Sequence, residues 1–231
     1  MTSDGTLPTV VLLHGWGSTA ERTWGDSRLL RSLRDAGRRV ELVDLPGHGR
    51  EGGLHDPAEY ADIVELTLAR LPEGPLDGVG FSLGAKLLLW IDAAQPGTLR
   101  RVVATGVGEN LFRNEAGAAL SAAVSAGDRD AFERGTDAFD IVSEAIDSGN
   151  DPAAIGAVIQ RPGTPPAPET LRAATAETLL IVGDADVIAG DPRLIAATHP
   201  NARISMLADA SHVATAGDHR MHDQAAEFLL R

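Results

Sequence analysis

Cysteine is absent from this 231-residue chain, which excludes disulfides and thiolate metal centres. Lysine is nearly absent: Lys86 stands alone against many arginines, a bias of composition rather than of function. Positive charge is scarce altogether, and the formal net charge is −13. A polyanionic surface repels nucleic acid and anionic bilayers, so neither is an expected partner. No apolar run is long enough to span a bilayer. The stretch Met1–Pro8 lacks a basic segment followed by an apolar one, so no signal peptide is expected and a cytoplasmic location is. Aromatic residues make up only 4% of the chain, which argues against a broad stacking site. What remains is ordinary for a globular protein: 43% hydrophobic and 23% charged, in a length that suits one domain with a sizeable core.

The apolar pattern alternates between short β-branched runs and segments of helical spacing. Strands are expected at Thr9–Leu13, Val40–Leu45, Gly78–Ser82, Leu99–Val107, Thr178–Val182 and Ala202–Leu207. Helices are expected at Ser27–Ala36, Pro57–Leu71, Leu83–Ala94, Asp191–Thr198 and Asp218–Leu230. Near-continuous apolar strands separated by helices argue an α/β fold with a mostly parallel sheet of about six strands, covered on both faces. The alternation lapses over residues 108–172. That region reads as three alanine-rich helices, Leu111–Ala126, Arg129–Asp147 and Pro152–Gln160, followed by a stiff connector with four prolines between Pro162 and Pro168. A single domain is expected, with its core in residues 1–107 and 173–231 and a small helical cap inserted at 108–172.

The densest signal is Gly80-Phe81-Ser82-Leu83-Gly84, which follows the apolar run Leu76–Val79 and precedes Ala85–Ile91. A strand, a sharp turn and a helix at that spacing present the serine hydroxyl and leave the next backbone N–H free. Serine alone is a poor nucleophile and needs a base with an orienting acid. Candidates lie at other strand ends, where open α/β sheets place ligands. They are His14-Gly15-Trp16-Gly17, Gly183-Asp184-Ala185-Asp186 and Ser211-His212. The chain order Ser, Asp, His fits a triad on this type of fold, with the acid open between Asp184 and Asp186. Two other motifs fail: Ala85 breaks the Gly-Lys pair of a phosphate loop, and Leu83 occupies the third glycine of a dinucleotide fingerprint. His219 and His222 lack a third zinc ligand and read as an exposed helix face.

Together these motifs resemble the α/β-hydrolase superfamily, in particular its small, short-capped bacterial serine hydrolases. HGWG at 14–17, DLPGHG at 44–49, GFSLG at 80–84, GDAD at 183–186 and SH at 211–212 carry the likeness. It covers about residues 9–107 and 177–231. The resemblance implies that Ser82 is the nucleophile and His212 the general base. The family's Gly-x-x-Asp spacing selects Asp186 as the acid. The backbone N–H groups of Trp16 and Leu83 would form the oxyanion hole. His14, Gly15, Trp16, Phe81 and Phe112 are candidate pocket residues, although His14 reads as a structural hydrogen-bonding group under the loop rather than a catalytic one. Ser211 stands where the family often has glycine. Only eight residues precede Thr9, so a trimmed sheet edge is expected.

The implied activity is hydrolysis of a carboxylic ester or thioester through an acyl-enzyme, on a small and rather apolar acyl substrate, with no cofactor and no metal. The same fold also supports C–C bond hydrolysis, perhydrolysis, lyase and cyclase chemistry. A non-catalytic protein that binds a small ligand is the alternative from another class.

Overall fold

The computed structural model describes residues 7–50, 52–114 and 117–231. The first half runs β1 (Thr9–Leu13), α1 (Ala20–Trp24), α2 (Arg28–Asp35), β2 (Val40–Val43), α3 (Ile63–Leu68), β3 (Leu76–Phe81), α4 (Leu83–Ala94) and β4 (Leu99–Thr105). Then follow α5 (Gly117–Ala126), α6 (Asp137–Asp147), α7 (Pro152–Ile159), β5 (Glu177–Gly183), α8 (Arg193–Thr198), β6 (Ala202–Leu207), α9 (His212–Gly217) and α10 (His219–Leu229). The six strands form one sheet in the order β2-β1-β3-β4-β5-β6, and every neighbouring pair is parallel. This is the α/β architecture expected from the alternating pattern.

Strand β1 shows why the sheet needs cover on both sides. Val11 and Leu13 join one apolar cluster, with Leu87, Leu88 and Leu180. Val10 and Leu12 join another, with Leu29, Leu33, Met221 and Phe228. Successive strand side chains point to opposite faces, so α4 covers the first cluster while α2 and α10 cover the second. These four of the five β1 residues are fully buried. Burying a side chain of this size contributes roughly 1.5–3 kcal/mol.

Among the described residues between β4 and β5 there is no strand. The helices there build a small apolar cluster of their own, Ala123, Val124, Val142, Ala145 and Ile155, against which Trp16 packs. The expected helix at 129–147 is shorter than its pattern suggested. Gly135 takes a positive φ of 82° and Thr136 caps Phe139 N–H, so α6 starts afresh at Asp137. The expected helix at 57–71 is also divided. A single 3₁₀ turn at Pro57–Tyr60 precedes α3, with the break at Asp62, where ψ is 48°. Tyr60 donates its hydroxyl to the Leu54 carbonyl, a loop contact that its helical spacing does not reveal. The expected helix at 111–126 is a 3₁₀ turn at Glu109–Phe112 and then α5, with Glu115 and Ala116 outside the described residues. Helices α1 and α9 are short and were not legible in the pattern.

Candidate active site

The turn after β3 forces Ser82 into a positive φ of 51° with ψ −112°, immediately before α4. Non-glycine residues rarely occupy that region, and such strain persists only when the surroundings enforce it. Here they do. A Cβ on Gly80 would lie 2.5 Å from the Ala85 nitrogen, and one on Gly84 would lie 2.6 Å from the Leu13 carbonyl oxygen. The two glycines therefore let strand, turn and helix close on one another. Ser82 N–H donates to the Thr105 carbonyl at 2.9 Å, and Gly84 N–H to the His14 carbonyl at 3.1 Å.

The structure brings together residues from three strand ends. Ser82 Oγ lies 3.0 Å from His212 Nε2. His212 Nδ1 lies 3.0 and 2.9 Å from the two carboxylate oxygens of Asp186. His212 and Asp186 are both buried. Asp186 Oδ1 also accepts from the N–H groups of Ile188 and Ala189, at 3.1 and 2.8 Å. The carboxylate is thus held in one orientation by its own turn. Since an ionised carboxylate only accepts, the His212 Nδ1 carries the proton and Nε2 is left to accept from the serine. Asp184 is directed elsewhere: it is exposed and accepts from Asp209 N–H at 2.8 Å.

The HGWG loop lies beside this chain of bonds. Two N–H groups near the serine, those of Trp16 and Leu83, donate to no protein acceptor among the described residues. Leu83 is the first residue of α4, where no intrahelical acceptor exists. The loop is supported by two buried imidazoles. His14 donates Nδ1–H to the Gly15 carbonyl at 2.7 Å and accepts Leu45 N–H on Nε2 at 3.0 Å. His48 donates Nδ1–H to the Pro46 carbonyl at 3.0 Å and accepts Gly17 N–H on Nε2 at 3.1 Å. Both rings must be neutral to accept, and burial favours that form. It lowers His14 to about 4 against the opposing pull of the Gly15 carbonyl. It lowers His48 to about 3, with His14 nearby pushing the same way.

A cleft of about 720 Å³ opens beside the site, lined by Phe81 and Val213, the chain neighbours of Ser82 and His212, and by Gly15, Trp16 and Ile141 among others. Phe81 stacks 5.0 Å from the His212 ring, and a Cβ on Gly15 would lie 3.4 Å from that of Ser82. The same lining also carries charged side chains, among them Arg22, Asp140, Glu144 and Asp147. Of the five candidate pocket residues, Gly15, Trp16 and Phe81 line the cleft. His14 lies buried beneath the loop, and Phe112 packs on the core cluster around α4. His222 donates to the Ala216 carbonyl at 2.9 Å, while His219 is exposed beside Asp218.

A sequence model described as the alpha/beta hydrolase family matches residues 10–230. The chain belongs to the alpha/beta hydrolase family. Its curated relatives in the family include a pimeloyl-(acyl-carrier protein) methyl ester esterase of Edwardsiella ictaluri, 45% identical over 75 residues, 32% of this chain and 27% of the relative. The esterase of that name from Nitrosospira multiformis is 34% identical over 116 residues, 48% of this chain and 43% of the relative. The matched stretches thus span less than half of these relatives. Among solved structures, the enol-lactonase from Burkholderia xenovorans superposes with a TM-score of 0.73 at 18% identity, covering 99% of this chain and 94% of that one. At that identity the likeness is one of fold.

Two residues at this site carried no sequence signal. Asn150, between α6 and α7, donates from Nδ2 to the carbonyls of Gly17 and Ser18, both at 2.9 Å. Its Oδ1 accepts Gly49 N–H at 2.7 Å. It thereby fastens the HGWG loop to the DLPGHG loop. Asp137 reaches the residues around His212. Both partners lie more than 70 residues away along the chain, and neither belongs to a motif of its own.

Proposed function

We propose that this protein is a serine hydrolase that cleaves a carboxylic ester or thioester through an acyl-enzyme. The observation that carries the reading is the unbroken Ser82–His212–Asp186 chain of hydrogen bonds. Ser82 Oγ attacks the acyl carbon as its proton passes to His212 Nε2. Asp186 keeps the imidazole in the tautomer that can accept and stabilises the imidazolium that forms. The oxyanion of the tetrahedral intermediate takes hydrogen bonds from the N–H groups of Trp16 and Leu83. One such donor typically contributes on the order of 3 kcal/mol to transition-state stabilisation. Collapse releases the alcohol or thiol, protonated by His212. Water, deprotonated by the same ring, then frees the acid and restores Ser82.

The proposed steps move only an acyl group and protons, carried by Ser82, His212 and water, so the reaction as proposed calls for neither cofactor nor metal. The apolar lining by Trp16, Phe81, Ile141 and Val213 suits a small apolar acyl group beside the serine. The helical segment 108–172 acts as the cap, since Ile141 on α6 contributes to the cleft wall. Membership of the family and the ester hydrolases among the relatives support this reading over a purely ligand-binding role. Ser82→Ala should lower turnover of a short p-nitrophenyl ester about a thousandfold or more. Wild-type turnover by that variant would overturn the assignment of the nucleophile.

A further inference from the structure

We infer that Asp137, on the helical segment between β4 and β5, is a positioning residue for the general base. The inference rests on the reading of His212 given above. Helix α9 begins at His212, so the base sits on the first helical residue. A helix start leaves backbone N–H groups without intrahelical acceptors, and a side-chain oxygen at the N-cap usually takes one of them. Ser211 occupies the N-cap, yet its side chain caps nothing. Its hydroxyl is turned outward and donates to Asp137 Oδ1 at 2.9 Å.

Asp137 supplies the cap instead. Its Oδ2 accepts His212 N–H at 3.2 Å, and its Oδ1 accepts Val213 N–H at 3.1 Å together with the Ser211 hydroxyl. Three donors from three consecutive residues converge on one carboxylate. A negative charge at a helix start is also favoured by the helix dipole. Asp137 is itself the first residue of α6, held in place by the Thr136 cap at that helix's start.

The far end of the same helix is also tied down. Ala145 packs against Gly17, where an added Cβ would lie only 2.7 Å from its own. Three residues beyond α6, Asn150 binds the Gly17 and Ser18 carbonyls. Helix α6 therefore runs from the backbone of the base to the loop carrying Trp16. The inserted segment does more than roof the cleft, because it sets where the imidazole backbone sits relative to Ser82. The sequence departure at Ser211 fits the same scheme, since glycine there would have no hydroxyl to give Asp137.

The test compares Asp137→Ala and Asp137→Asn with the wild type on a short p-nitrophenyl ester, alongside thermal unfolding and the rate of Ser82 labelling by a fluorophosphonate. Misplacing a catalytic group by a fraction of an ångström slows chemistry without weakening ground-state binding. For Asp137→Ala, kcat and the labelling rate should both fall on the order of tenfold, with KM within about twofold and the protein still folded at the assay temperature. Asp137→Asn keeps one acceptor oxygen and should recover part of the loss. Unchanged kcat in Asp137→Ala would overturn the inference. So would a loss that merely follows the unfolded fraction, or one confined to KM. Ser82→Ala serves as the control: if it stays active, the reading of the site has failed rather than the role of Asp137.

Discussion

At the residue scale, two aspartates two positions apart have opposite surroundings. Asp186 is buried, bonded to His212 and to two N–H groups of its turn. Asp184 is exposed and caps a neighbouring turn through Asp209 N–H. Asp186→Asn would keep the shape but present an amide to His212 Nδ1, favouring the tautomer in which Nε2 carries the proton and cannot accept from serine. A loss in kcat of roughly 10⁴ is expected from that error alone. Asp184→Asn should leave kcat within about twofold. Steady-state kinetics of the two variants check this directly, and a reversed order of effects would transfer the role of acid to Asp184.

At the element scale, the loops after β1 and β2 are joined through neutral imidazoles rather than through regular secondary structure. His14 and His48 have folded pKa values pushed down by burial, to about 4 and about 3. The unfolded chain would titrate them near the ordinary value of about 6.5. Below that pH the unfolded state binds protons that the folded state refuses, so stability falls as pH falls. The contribution is whole above pH 6.5 and is lost progressively towards the folded values. Between pH 7 and pH 5, still above the carboxylate range, each ring should withdraw about 2 kcal/mol. Urea unfolding at those two pH values measures the effect. Equal stability at both would mean that these rings are not held neutral in the fold.

At the scale of the whole molecule, the N-terminal ends of the central strands β3 and β4, opposite the candidate active site, are closed by a buried ion cluster. Asp77 and Arg38 are both fully buried at the side chain, 2.6 Å apart. Arg100 on β4 binds the same carboxylate, with Nε 2.9 Å from Oδ1. Arg38 also donates to the carbonyls of Leu229, at the end of α10, and of Pro8, before β1. One guanidinium thus joins four distant parts of the chain. Removing a single partner from a buried pair leaves an uncompensated charge, which typically costs about 3–5 kcal/mol. Asp77→Ala should lose stability of that order in urea unfolding. A loss below about 1 kcal/mol would show that water reaches the Arg38 guanidinium and relieves it.

The same cluster marks the boundary of what periodicity reveals, because Asp77 lies inside a run whose neighbours Leu76 and Val79 are apolar, and its partners Arg38 and Arg100 lie on other segments of the chain. The sequence by itself determined the six strands, the sheet type and the glycine turn at Ser82, because these follow from local spacing and from steric limits at Gly80 and Gly84. It also named His212 and narrowed the acid to two neighbours, since both sit just past strands whose ends face one side. The family's spacing already selected Asp186; what only the tertiary structure adds is the physical reason, a single bend that turns that carboxylate inward onto His212 and leaves Asp184 exposed. The tertiary structure alone revealed Asn150 and Asp137 as supports of the site. Their hydrogen bonds close loops of more than 70 residues, and such contacts depend on how the helices stack rather than on any pattern along the chain.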